Sequence, residues 1–302
     1  MSRFSPSEVA FEGFRLTREK PSLILSIGLL EILYALIGGA IFFSMAGQQV
    51  LDVLSAAMAH DSARLQGIQA QMLPIRMAQL ATAPVQLLVY SVMFAAIFRA
   101  VLRPTERGLG YLKLGGDELR LLLLGVVYFL LMVLFAVAIG IVIGILSVAA
   151  QTAPEQARGP LVIVIVAVAL ALCVWVAVRL SLAGPMTFAE GKLRIFESWR
   201  LTKGQFWSLF GMYLLTIILA IVVSVLIMVV LAVIGVVLAF ALGIGDVIKT
   251  LSAGRHVDFA GLAPGLMFGA AVFLLLASFF NAFVRIITYA PAAVAYRELS
   301  NK

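Results

Sequence analysis

Charge is scarce in this sequence: Asp, Glu, Lys and Arg together make up 12% of its 302 residues, against about a quarter in an ordinary soluble protein. With hydrophobic residues at 63% and a mean hydropathy of +1.11, that scarcity excludes a soluble globular domain. Cysteine is nearly absent too. The single Cys173 rules out an internal disulfide or a thiolate metal cluster. Histidine occurs only at His60 and His256. Neither has zinc-ligand spacing, so the two read as solvated loop residues rather than as a metal or catalytic cluster with Asp52, Asp61 and Asp258. The amino terminus is too polar for a cleaved signal peptide.

What the chain has in abundance is long apolar runs. A helix needs roughly 20 apolar residues to cross a bilayer, and such runs lie at about 22 to 46, 76 to 101, 119 to 150, 160 to 183, 206 to 243 and 264 to 296. None shows the period-2 polar alternation of a membrane β-barrel, so the fold class predicted is all-α, a single integral membrane domain of six spans over 1–302. The third and fifth runs are overlong, and predict strong tilt, projection beyond the bilayer, or a break near a glycine such as Gly235. The first outer loop carries Leu51, Leu54, Met58, Leu65, Ile68 and Met72 at helical spacing, which predicts amphipathic helix there.

The net charge of +7 has a one-sided distribution. Seventeen of the 22 Lys and Arg fall on one side of the predicted spans: Arg3, Arg15, Arg18, Lys20, Arg99, Arg103, Arg107, Lys113, Arg120, Arg179, Lys192, Arg194, Arg200, Lys203, Arg285, Arg297 and Lys302. Arg64, Arg76, Arg158, Lys249 and Arg255 fall on the other. By the positive-inside rule both termini are expected in the cytoplasm. The basic side is expected to face anionic lipid headgroups rather than nucleic acid, since no basic tail or RNA-binding signature accompanies it.

One phrase occurs twice. Phe11-Glu12-Gly13-Phe14-Arg15-Leu16-Thr17-Arg18 precedes the first run, and Phe196-Glu197-Ser198-Trp199-Arg200-Leu201-Thr202-Lys203 the fifth. A weaker copy, Tyr111-Leu112-Lys113-Leu114-Gly115, precedes the third. The even-numbered runs each end in an Arg followed by a Pro: Arg99 with Pro104, Arg179 with Pro185, Arg285 with Pro291. The pattern predicts pseudo-repeats of about 5 to 104, 105 to 190 and 191 to 302, each a surface helix followed by a hairpin of spans, with the prolines ending or bending helices. Ser5-Pro6-Ser7-Glu8 reads as the first surface helix's start, with Val9, Phe11 and Phe14 on its apolar side.

Candidate functional residues follow from this arrangement. Arg15, Trp199, Arg200, Lys203 and Trp207 have the aromatic and basic character of a lipid interface. A lipid pocket between Arg200, Lys203 and Arg179 is one reading of them, and plain anchoring is the other. Glu31 lies about ten residues past Pro21, hence roughly 15 Å into the bilayer, and an acid at that depth needs a partner. Of the intramembrane charges Arg99, Arg179 and Arg285, the last is the expected one, either as a register-fixing ion pair or as part of a proton or substrate path. Gly140 and Gly144 form a GxxxG that predicts close helix packing within the bundle.

Around Arg179-Leu180-Ser181-Leu182-Ala183-Gly184-Pro185, Glu190 and Ser198 through Trp207, the chain resembles bacterial six-span membrane proteins of the YciC type. These are related to the membrane domain found beside some glycerophosphoryl diester phosphodiesterases. The resemblance implies a multi-pass protein of the bacterial inner membrane and supplies no catalytic residue. The soluble phosphodiesterase's His-Arg-Gly and Glu-Asn-Thr motifs have no counterpart in this sequence. The expectation is therefore a non-enzymatic membrane protein without cofactor or metal, acting in envelope or lipid homeostasis or as a membrane partner protein; a small-molecule or lipid transporter is the alternative.

Overall fold

A computed structural model describes residues 5–58, 67, 72–152, 154–241 and 259–300. Among these residues the chain forms nine helices. They are α1 (Pro6–Glu19), α2 (Pro21–Met58), α3 (Leu73–Leu102), α4 (Gly116–Ala150), α5 (Glu155–Leu180), α6 (Ala183–Glu190), α7 (Glu197–Leu201), α8 (Phe206–Ala241) and α9 (Phe259–Ser300). Six helical stretches are long and apolar enough to cross a membrane: Pro21–Ala57, Leu73–Leu102, Gly116–Val148, Glu155–Glu190, Phe206–Ala241 and Met267–Ser300. The chain is thus an all-helical protein with the make-up of a multi-pass membrane protein.

The long helices pack in chain order and return to the start. α2 touches α3, α3 touches α4, α4 touches α5, α5 touches α8, α8 touches α9, and α9 closes onto α2 while also reaching α3. Burial is uneven around this ring. α4 buries Glu118, Leu121 and Leu124 in its first turns, α5 buries Val178 near its end, and α8 buries Leu209, Met212 and Thr216. Beyond those turns the most apolar stretches of α4 and α8 bury none of their residues. Such exposure would be prohibitive in water at about 25 cal/mol per Å² but carries no such cost in hydrocarbon, where lipid tails are as apolar as the side chains. The core gathers at the end where α1, α6, α7 and the 103–115 connection meet the tips of α3, α5 and α9, here termed the basic end.

Helix α1 begins as its sequence predicts, with Pro6 at the first position and Glu8 in the first turn, although the Ser5 side chain makes no cap hydrogen bond. It buries Val9, Ala10, Gly13, Leu16 and Thr17 against α8 and α9, while Phe11 stays 50% exposed. Gly13 is what lets it dock: a Cβ there would meet the Ile287 Cα at 2.5 Å. Helices that close need a residue without a side chain at the crossing.

Several expectations are corrected. The segment before α4 is no helix but a tight turn bridging Leu109 and Leu112, with Gly110 and Tyr111 both at positive φ. A Cβ on Gly110 would lie 2.7 Å from the Ser22 carbonyl, so only glycine fits that turn against α2. The second copy of the repeated phrase forms only five residues of helix, α7. Pro104 lies just past the end of α3 and Pro185 in the first turn of α6, whereas α9 runs on through Pro291. Neither α4 nor α8 breaks, and α8 passes straight through Gly235. Among the described residues no second helix packs closely on Gly140 or Gly144, for a Cβ on either would find no atom within 4 Å. Of the first outer loop, α2 extends to Met58 and the stretch holding Leu65 and Ile68 lies outside the described residues, as do His60, His256, Asp61 and Asp258.

Candidate functional site

Three arginines, Arg99 and Arg179 near the ends of α3 and α5 and Arg285 midway along the last span, each solve the problem of their charge differently. Arg99, one turn before α3 ends, is 1% exposed. Its Nη2 lies 2.5 Å from the Glu118 Oε1, its Nη1 donates to the Tyr111 carbonyl at 2.6 Å, and its Nε stands 3.6 Å from Glu106. Glu118 is itself 3% exposed, in the first turn of α4, where unpaired N–H groups favour negative charge. Next to it Arg103 donates to Asp117 and to the Phe188 carbonyl, both at 3.0 Å, and Asp117 also takes Arg120 at 2.8 Å. The Phe188 ring covers the guanidinium groups of Arg99 and Arg103, with centroids 5.5 and 4.8 Å away. This network locks α3, α4, α6 and the connecting turn together. Its charges are matched and its central pair, Arg99 and Glu118, is buried, which is the chemistry of a structural clasp.

Arg285, on α9, is joined to Glu31 on α2 through its Nε. Both are largely buried, with side-chain exposures of 22% and 8%. The second span completes the group: Arg285 donates from Nη2 to the Tyr90 hydroxyl at 3.2 Å and lies over the Tyr90 ring at 4.7 Å, and Gln86 donates to the same hydroxyl at 3.1 Å. Phe94 and Tyr289 close over this group edge to face, with centroids 4.7 Å apart. One acid, one base and one phenol from three helices thus satisfy one another within the span region.

Arg179, at the last-but-one position of α5, has no carboxylate partner among the described residues. Its Nε and Nη1 are buried and make no hydrogen bond. Its guanidinium lies instead beside a pair of indoles, 5.7 Å from the Trp175 centroid and 5.8 Å from the Trp199 centroid. The rings themselves meet edge to face at 4.9 Å. The backbone at this point is well held, since Ser198 Oγ donates to the Arg179 carbonyl at 2.9 Å and Thr202 Oγ1 lies 3.4 Å from it. Trp199 borders a cavity of about 540 Å³ between α4 and α5, and Trp175 borders another of about 600 Å³ with Phe206, Trp207 and Phe210. Both are walled almost wholly by apolar side chains.

The two copies of the repeated phrase are used alike. Gly13 and Ser198 are buried, as are Thr17 and Thr202, while Phe11 and Phe196, Arg15 and Arg200, and Arg18 and Lys203 are exposed. Each copy docks beside one of the three arginines: Gly13 against Ile287, two residues past Arg285, and Ser198 against Arg179. The turn at Tyr111 docks on Arg99.

The residues expected at a lipid interface do not converge on one pocket. Arg15 pairs along its own helix with Glu12 at 3.1 Å and Glu19 at 3.3 Å. Arg200 lines a separate depression of about 440 Å³ with Glu190, Arg194 and Glu197, Lys203 is exposed, and Trp207 is 77% exposed. In that depression Arg194 bridges Glu190 at 2.9 Å and Glu197 at 2.8 Å, and its hydrogen bond holds the Glu197 carboxyl below the usual carboxylate range. Trp175, Tyr90 and Glu118 were not singled out from sequence. Trp175 carried a usable signal, four residues before Arg179 and so on the same helix face. Glu118 carried another, in the first turn of a predicted span. No family model, curated protein or solved structure matches the chain.

Proposed function

We propose that this chain is a non-enzymatic integral protein of the bacterial inner membrane, built from three pseudo-repeated units, with both termini and the basic end in the cytoplasm, and that it serves envelope or lipid homeostasis. The observation that carries the reading is how the deep charges are used. Glu31, the acid expected to mark a proton or substrate path, is 6% exposed and engaged by Arg285 and its Tyr90 partner. Charges spent on each other hold helices in register and offer nothing to a moving substrate. The grooves that do open, beside Trp175 and Trp199, are apolar and face outward between helices, where lipid rather than a water-soluble substrate would enter.

The three-unit reading draws support from the shared burial pattern of the two phrases and from their docking beside equivalent arginines. In this reading an entrance segment seats on the arginine of the span before it. The first seats beside Arg285 of the last span, which closes the ring. The resemblance to YciC-type proteins fits the same architecture. The runner-up, a transporter of lipids or small molecules, rests on the repeats themselves.

Reporter fusions at Lys302 and near Lys192 should read cytoplasmic, and fusions near His60 and His256 external; the reverse would overturn the orientation. Co-purification followed by mass spectrometry should find retained phospholipid. Counterflow of a soluble solute in proteoliposomes, lost in Glu31→Gln, would replace this reading with the transporter.

A further inference from the structure

We propose that Arg179, with Trp175 and Trp199, forms a binding site for the phosphate of an anionic phospholipid, whose acyl portion lies in the apolar groove between α4 and α5. The inference deepens the lipid-homeostasis reading and rests on its placement of this end in the headgroup layer.

The argument begins from what Arg179 lacks. Arg99 and Arg285 meet carboxylates, but the Nε and Nη1 of Arg179 are buried with no acceptor. Two guanidinium nitrogens out of water and without an acceptor are costly, and an anion that accepts from them relieves that cost. The two indoles supply only the partial charge of their π faces. An indole has no acceptor for the guanidinium donors, whose planar arrangement suits phosphate oxygens. The carboxylates nearest in sequence, Glu190 and Glu197, are both taken by Arg194. Among the described residues no carboxylate pairs with Arg179, and the anion is assigned to a ligand from outside the chain.

The surroundings choose its source. Trp199 is shared between the cation and the groove of about 540 Å³, whose wall includes Tyr128, Met132, Phe135, Val174 and Phe196. A ligand spanning both must be anionic at one end and apolar along the rest. Indoles at the end of a span also sit where headgroups lie. A zwitterionic headgroup would bring an ammonium, and the carboxylates nearest in sequence, Glu190 and Glu197, are already engaged by Arg194. An anionic headgroup brings no such demand, and it suits a chain of net charge +7.

The test uses the full chain carrying Trp207→Phe, so that of its three tryptophans only Trp175 and Trp199 fluoresce. Reconstituted in phosphatidylcholine, it is titrated with acyl-brominated phosphatidylglycerol or, separately, acyl-brominated phosphatidylcholine. Brominated phosphatidylglycerol should quench at a mole fraction about fivefold lower, the effect of one charge worth about 1 kcal/mol. Arg179→Gln should remove that preference, and Arg179→Lys, which keeps the charge but not the planar fork, should retain part of it. The Lys variant also serves if the Gln variant does not fold. Equal quenching by the two lipids, or a preference unchanged in both variants, would overturn the site. Inorganic phosphate should leave the preference intact; competition by it would overturn the assignment to lipid in favour of soluble phosphate. Loss of the preference in Arg179→Gln without any envelope defect in cells would support the site and sink the homeostasis reading. An envelope defect with the preference unchanged would do the opposite.

Discussion

Glu31 on α2 and Arg285 on α9 form an ion pair inside the span region, and Tyr90 on α3 binds the same guanidinium by both its hydroxyl and its ring. The three helices that supply these residues are also mutually packed. The pair therefore ties the first span to the last, which is the contact that closes the ring.

Breaking the pair should cost the bundle much of its stability. Removing one member of a buried pair costs about 3 to 5 kcal/mol, and Glu31→Gln should fall toward the lower end, because Tyr90 and water defects soften the loss. The reversed pair, Glu31→Arg with Arg285→Glu, should recover part of it. A double-mutant cycle on thermal unfolding in detergent measures the coupling; purely additive losses would mean that the two side chains do not stabilise each other.

The Arg99 clasp predicts a larger and more local effect. Glu118→Gln leaves Arg99 with the Tyr111 carbonyl at 2.6 Å and with Glu106, whose side chain is 42% exposed. Losing a carboxylate at 2.5 Å should therefore cost about 3 kcal/mol or more. It should also loosen the 103–115 turn, so that hydrogen exchange at Tyr111 and Leu112 rises well before global unfolding. Unchanged protection of that turn would show that its glycine geometry alone holds it.

Much of this architecture was readable before any coordinates. Span number follows from apolar length, and the Glu31 partnership follows from the cost of an unmatched acid at depth, because both are near-absolute constraints of a hydrocarbon solvent. The choice between helix and turn at Tyr111 was not legible. It is decided by how closely Gly110 approaches α2, a tertiary fact with only a glycine to announce it. GxxxG misled for a related reason. Small residues permit close approach, but whether a second helix comes is decided by tertiary packing, and at Gly140 and Gly144 none of the described residues comes within 4 Å of a Cβ. The Arg179 environment was half legible: the cation and Trp199 stood out, while the indole that completes the arrangement sits on the preceding helical turn among apolar residues.

Glu197 supplies a pH prediction. Its hydrogen bond from Arg194 lowers its pKa in the folded protein. The stabilisation is then fully present above the usual glutamate value of about 4.3 and is lost only as pH falls through the lower folded value. The difference in melting temperature between the native chain and Glu197→Gln should stay constant from pH 8 to 5 and shrink below about 4. Both side chains are solvent-accessible, so high salt should shrink it as well. A difference that changes between pH 7 and 5 would contradict the assigned pairing.

Gly13 and Ser198 occupy the same place in the repeated phrase but should not tolerate exchange equally. At Gly13 a Cβ would press on the Ile287 backbone at 2.5 Å, which no side-chain rotation can relieve. Gly13→Ser should therefore displace α1 and cost about 1 to 3 kcal/mol, the range for overpacking a tight contact. Ser198 already accommodates a Cβ, and Ser198→Gly forfeits its hydrogen bond to the Arg179 carbonyl, worth about 1 kcal/mol, and adds the roughly 0.5 to 1 kcal/mol cost of glycine in a helix, without displacing a neighbour. Limited trypsin digestion separates the two effects, because Arg15 and Arg18 lie on α1 and become cleavable once it leaves α9. Cleavage there should rise in Gly13→Ser and stay at the native level in Ser198→Gly. If both variants are cut alike, the docking of α1 does not depend on the close approach at Gly13.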